Sequence, residues 1–205
     1  MIRLICTDIS DMTEAAFRAL YEKASAGRRG RADRYRRPAD AMRCLTAEAL
    51  LRYVLGTGDF TEEKAPGGKP FLREYPDFHY NLSHAGRWVV LACGDSEVGV
   101  DVEKIRRDTD VEAIAGHFFA PEEQRAVREN PAYSRERFFE IWTSKESYVK
   151  YLGTGLRTDL TAFSVFSPEP EVRLFRRKLG EDYCLSLCTA CDDYLLELLD
   201  LQRLL

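Results

Sequence analysis

Several things are missing from this chain, and each absence narrows it. No apolar run approaches the length of a membrane span, and no segment is repeated or low in complexity. The opening MIRLICTDISD meets acids too soon for a secretory signal, so a first strand is expected there instead. There is no basic surplus: 30 Lys and Arg face 34 Asp and Glu, a net charge of −4. That argues against a general nucleic-acid binder. Cys188 and Cys191 form a C-x-x-C with no second pair nearby, so zinc is not expected. All six cysteines read as reduced core thiols of a cytosolic protein. GGKP, residues 67–70, is too short for a P-loop.

What is present suits a globular protein. The 205 residues are 45% hydrophobic and 31% charged, enough for one large domain or two small ones. Residues 1–9 read as a strand. Residues 11–25 read as a helix capped by Ser10 or Asp11, and a further helix runs from a cap at Asp40 to Leu55, stopped by Gly56. The stretch 28–37, with six arginines and one acid, is expected as a loop. Strands are expected at 78–82, 88–93 and 97–102, two short helices over 110–129, and the strongest helix over 133–152. Four strands are expected at 160–166, 171–178, 182–190 and 194–201. Helices followed by hairpins favour α+β with mainly antiparallel sheet.

The chemistry gathers in a few places. In GVDVEK, residues 99–104, Asp101 and Glu103 share one strand face, with Val100 and Val102 on the other. Paired carboxylates repel unless a cation lies between them, and a hard divalent cation suits them. The plain alternative is an exposed edge-strand pair bridged by Lys104 or Arg106. Glu146 and Lys150 are one helical turn apart, either a surface pair or part of a site, with Trp142 and Phe138 making this helix largely buried. In NLSHAG, Ser83 and His84 stand at a strand end before Gly86, and Lys69 sits on a glycine-rich turn. The arginine run is a solvated loop, an RNA patch or a clamp for a phosphorylated small molecule, since arginine can bond two phosphate oxygens.

In order and spacing, GKPFL, FHYNLSHAGRW, GVDVEKI and FFEIWTSKESYVKYLGTGL resemble the 4′-phosphopantetheinyl transferase superfamily, in its Sfp-type branch, from about Arg28 to Val165. The resemblance implies an enzyme that moves the phosphopantetheine arm of coenzyme A onto a serine of an acyl or peptidyl carrier protein. It releases 3′,5′-ADP and needs Mg²⁺. It also implies an α+β pseudo-dimer of two similar halves, each a mainly antiparallel sheet with packed helices. Residues 1–98 would supply nucleotide contacts, and 99–205 the metal-binding acids and catalytic helix. By motif position, Asp101, Glu103 and Glu146 match the metal-binding acids, and Lys150 a lysine on the pyrophosphate. Asp101, Glu146 and Lys150 make the catalytic set. Lys69 and His84 match residues touching the nucleotide phosphates, with Pro70 and Ser83 beside them. Arg43 matches a basic residue at the 3′-phosphate, as do Arg28 and Arg31 by a looser alignment. The base for the serine is either Glu146 or a water.

Ala85 replaces a usual serine, arginines replace lysines at 28–31, and the chain is short for the type, which implies trimmed loops or C-terminal sheet. The implied protein is a cytoplasmic monomer serving fatty acid, polyketide or nonribosomal peptide synthesis, with an acidic helical carrier as partner and neither nucleic acid nor membrane. Two rivals are a metal-dependent phosphodiesterase using the same acids and a non-catalytic carrier-binding module. The phosphodiesterase would need neither the Lys69–His84 pair nor the arginines, and the intact acid and lysine set argues against the module.

Overall fold

The computed structural model describes residues 1–155 and 158–205; Leu156, the last residue of the long motif, lies outside the described residues. Strand β1 (Ile2–Asp8) leads into helices α1 (Glu14–Lys23), α2 (Ala26–Ala32) and α3 (Pro38–Leu55). A small hairpin, β2 (Glu62–Lys64) and β3 (Pro70–Leu72), precedes a long one, β4 (His79–Ala85) and β5 (Trp88–Gly94). Strand β6 (Val98–Lys104) then leads into α4 (Val111–Phe118), α5 (Pro121–Glu129) and α6 (Ser134–Leu152). Strands β7 (Arg173–Lys178), β8 (Tyr183–Thr189) and β9 (Tyr194–Leu198) complete the chain.

The architecture is mixed α+β. One sheet has the order β4-β5-β1-β9, antiparallel except for β9, which runs parallel to β1. The other has the order β6-β8-β7 and is antiparallel throughout. The alternation of side chains explains the layering. Ile2, Leu4, Val90 and Ala92 of one sheet meet Val98, Val100, Val102 and Leu187 of the other in a core between the sheets. Ile5, Val89 and Leu91 point the other way, into a core with Leu45 and Leu50 of α3. On the far side of the second sheet, Cys184 joins Phe138 and Ile141 of α6 and Phe119. Two long helices therefore flank two sheets packed face to face.

Most expected elements are present, with local differences. The 28–37 stretch is not all loop, because Ser25 accepts from the Arg28 N–H and starts α2. Helix α1 is capped by Thr13, whose hydroxyl accepts from the Ala16 N–H, and not by Ser10 or Asp11. Helix α3 begins at Pro38, which needs no N–H partner at a helix start, so Asp40 lies in the first turn. The strand expected over 160–166 is a 3₁₀ turn, Leu160–Ala162, whose Asp159 carboxylate accepts from the Thr161 N–H. Gly56 and Gly153 end α3 and α6 in left-handed backbone (φ 70° and 68°), as their glycines foretell. Among the described residues no helix is long and apolar enough to cross a membrane.

Candidate active site

Strand β6 is paired on one edge only, with β8. Its other edge meets side chains of β4 in place of a neighbouring backbone. The Val100 N–H donates to Asn81 Oδ1 at 2.9 Å, and the Val102 N–H donates to Ser83 Oγ at 3.3 Å. Asn81 and Ser83 lie two apart on β4 and so point the same way. Between these two bonds sits Asp101, 4% exposed, on the face of β6 that α6 covers. Its Oδ1 accepts from Ser83 Oγ at 2.9 Å and from Lys150 Nζ at 2.6 Å. Lys150 also donates to the Val100 carbonyl at 3.2 Å, so one lysine of α6 bridges strand and site.

A cavity of about 550 Å³ opens over this junction. Asp101, Glu103, Glu146 and Lys150 line one end; Arg28, Arg31, Ser83 and His84 line the rest, with Pro70 at the edge. The acids are short of partners. Asp101 Oδ2 is buried with no hydrogen bond. Burial, and then the Asp101 charge, push Glu103 up to about 7. The same two causes raise Glu146. A free Asp101 oxygen beside two carboxylates destabilised in their charged form suits a hard cation that takes oxygen ligands. Among the described residues no group of three or more His, Cys, Asp or Glu side chains is placed to hold a metal ion by itself.

The basic residues do not all face this cavity. Arg28 lines it, but its guanidinium is 9% exposed and donates to Glu48 at 3.3 Å and Glu62 at 3.2 Å, tying α2 to α3 and β2. Removing one side of a buried pair costs about 3–5 kcal/mol. Arg28→Ala is therefore expected to lower the melting temperature clearly, while Arg31→Ala, at an exposed position, leaves it nearly unchanged. Thermal melts of the two variants check this. Arg43 stands outside the cavity lining; it pairs with Asp40 and donates to the Gly86 carbonyl at 2.7 Å. His84 stands at the rim, at the end of β4 where it was expected. Desolvation by the cleft walls, and then the Arg43 and Lys150 charges, hold its pKa below the ordinary imidazole value.

Lys69 is also elsewhere. It follows a turn of the β2–β3 hairpin and lines a second cavity of about 500 Å³. Its ammonium donates to Glu97, to the Val98 carbonyl at 2.8 Å and to the Tyr151 carbonyl at 3.1 Å. The two cavities adjoin along Pro70, Glu146 and Lys150.

Reading the sequence missed Asn81, although its place two before Ser83 on a strand marks it for the same face. It also missed the role of Lys145. That side chain is fully buried and pairs with Glu123, itself fully buried, at 2.8 Å. It further donates to the Leu160 and Phe163 carbonyls, both at 2.7 Å, which fixes the segment closing the second cavity onto α6. Its position on the apolar stripe gave no signal, because Glu123 comes from another helix.

Comparison with known proteins points to one family. The model of the 4′-phosphopantetheinyl transferase superfamily matches residues 97–198, which hold β6 and α6. The 4′-phosphopantetheinyl transferase psf-1 of Bacillus pumilus is 39% identical over 144 residues, 67% of this chain and 61% of its own length. A 4′-phosphopantetheinyl transferase of Bacillus subtilis is 32% identical over 189 residues, 83% of this chain and 84% of its own. Sfp of Bacillus subtilis (strain 168) is 31% identical over 147 residues, 69% of this chain and 65% of its own. The chain thus spans less than two thirds of the first and third of these relatives and most of the second.

Proposed function

Because the chain belongs to the 4′-phosphopantetheinyl transferase superfamily, we propose that it moves the 4′-phosphopantetheine arm of coenzyme A onto a serine of an acyl or peptidyl carrier protein, releasing 3′,5′-ADP. The observation that carries this reading is the single cleft in which Arg31, His84 and Lys150 face Asp101, Glu103 and Glu146. One side suits the phosphates of a nucleotide, the other a cation between them. A simple phosphodiesterase has no need of the basic end.

The serine oxygen forms a bond to the phosphorus attached to pantetheine, and the phosphorus–oxygen bond to 3′,5′-ADP breaks. Lys150, held over Asp101, offsets charge on the phosphates as that bond lengthens. Either Glu146 or a water beside it takes the serine proton. Asp101, Glu103 and Glu146 would hold Mg²⁺, which supplies charge neutralisation at the pyrophosphate. Arg31 gives the 3′-phosphate a charged partner. Arg31→Ala is expected to raise the KM for coenzyme A about tenfold and that for dephospho-coenzyme A far less.

We read the chain as a pseudo-dimer of residues 1–98 and 99–205, acting as a cytoplasmic monomer. What supports the two halves is their shared order: a strand, three helices, then a hairpin that returns onto the strand. The neighbour orders β4-β5-β1 and β6-β8-β7 agree as well, each with the hairpin's second strand in the middle.

Intact mass spectrometry of apo carrier proteins with coenzyme A and Mg²⁺ tests the transfer. A gain of one phosphopantetheine on at least one carrier is expected, and no gain on any overturns the reading. The acids add a test by stability. Glu103, raised to about 7, stabilises the fold in its protonated form, and that contribution is lost as pH rises from the ordinary carboxylate range through about 7. Mg²⁺ should therefore raise the melting temperature clearly near pH 8 and little near pH 5. Melts at matched ionic strength check this, and equal shifts at both pH values contradict the cation site.

A further inference from the structure

The second cavity lies across the Glu146–Lys150 turn from the first. A ligand whose reacting phosphate sits at that turn has one end in each. The nucleotide end suits the cavity with Arg31 and His84. The other cavity is less polar, with Val149, Phe118 and Leu160 in its walls and a rim of glycines. It suits a long, uncharged chain.

Asn81 is the polar group of its strand wall, 6% exposed. The bond from the Val100 N–H settles the orientation of its amide, because only the oxygen can accept. The Nδ2 donors therefore point away from β6. They meet no acceptor among the described residues, and the side chain lines the second cavity. The two neighbouring lysines are already engaged. Lys69 donates to Glu97 and to the Val98 and Tyr151 carbonyls, and Lys150 to Asp101, Ser83 and the Val100 carbonyl. A buried amide with its oxygen held and its nitrogen free is a donor prepared for a carbonyl.

We infer that Asn81 reads the pantetheine arm, donating from Nδ2 to an amide carbonyl of the arm as it lies in the second cavity. The inference rests on the transfer reading above and adds where the arm lies and which side chain recognises it. Asn81 thus serves twice, since its oxygen also holds the edge of β6 beside Asp101. An arm without amides would leave its donors unpaired in a largely buried place and bind worse.

The test compares the affinities of coenzyme A and adenosine 3′-phosphate 5′-diphosphate, which share the nucleotide and its pyrophosphate and differ by the pantetheine arm. Asn81→Asp keeps an oxygen for the Val100 N–H and removes the donors. Its added charge acts on the pyrophosphate that both ligands carry, and bears harder on the comparison ligand's free terminal phosphate, so it does not by itself lower the ratio of the two affinities. Leu160→Trp fills the cavity and leaves Asn81 in place. By calorimetry, each variant should lower the ratio of coenzyme A affinity to adenosine 3′-phosphate 5′-diphosphate affinity about tenfold from its wild-type value. Melting curves confirm that each is folded, and if Asn81→Asp is not, Leu160→Trp decides. An unchanged ratio in folded Asn81→Asp overturns the role of Asn81; an unchanged ratio in Leu160→Trp overturns the placement of the arm. Failure of the transfer reading is distinct: the variants would lower the ratio while wild type adds no mass to any carrier.

Discussion

Asp101→Asn is expected to lower the transfer rate by about 10²–10³ while the melting temperature moves by only a few degrees. The variant keeps an oxygen for the Ser83 hydroxyl and Lys150, which now bond Oδ1 at 2.9 and 2.6 Å. It removes the charge that faces the cavity, whose Oδ2 has no partner in the protein. That charge raises both Glu103 and Glu146, so the variant also relieves repulsion. Stability and activity should therefore part company, which is the signature of a group kept for chemistry at some expense to the fold. The Mg²⁺-dependent rise in melting temperature near neutral pH should shrink with it. Carrier mass gain over time, with melts in parallel, measures both. A variant that transfers at the full rate, or one whose loss merely follows unfolding, would remove Asp101 from the site.

Gly99→Ala is expected to damage the proposed activity almost as badly by a different route. Helix α6 crosses β6 so closely that a Cβ at residue 99 would lie 2.0 Å from the Ser147 carbonyl oxygen and 2.3 Å from the Tyr151 nitrogen. Both are backbone atoms of a helix, so no side chain can swing aside. The helix must move or the strand must bend, at a cost of about 1–3 kcal/mol for one added methyl and more for a larger group. A shift of even 1 Å would lift Lys150 off Asp101 and change where Glu146 points, and misplacement of that size can cost about a hundredfold in rate. Gly99→Ala should thus lower both the melting temperature and the transfer rate, and Gly99→Val should do so more strongly. Normal activity in a stable Gly99→Ala protein would show that α6 tolerates displacement and that the close packing is not what aligns the site.

The sequence by itself determined most of the elements and the faces on which the candidate residues stand. Alternation along β6 put Asp101 and Glu103 on one face, and the face is where the structure has them because a strand has a period of two whatever it packs on. The apolar stripe of α6 with Glu146 and Lys150 one turn apart was equally legible, since a helix has its own fixed period. Local signals failed where they competed. The charge of 28–37 hid the short helix begun by Ser25, and apolar residues over 160–166 suggested a strand where Asp159 closes a 3₁₀ turn.

Only the tertiary structure decided which charges are free. Arg28 and Arg31 look alike in sequence, but Arg28 is spent on Glu48 and Glu62 while Arg31 stays open to the cleft. Lys69 and Lys150 look like a pair of phosphate ligands, but Lys69 is held by Glu97 and two carbonyls at the second cavity. Lys145 reads as one more position on an apolar stripe and proves to be half of a fully buried ion pair. Each outcome depends on a partner distant in the chain, and no local period carries information about what packing will bring opposite a side chain. The same holds for Asn81: its place on the strand was readable, but that its oxygen would be taken and its nitrogen left free depended on where the open edge of β6 came to rest.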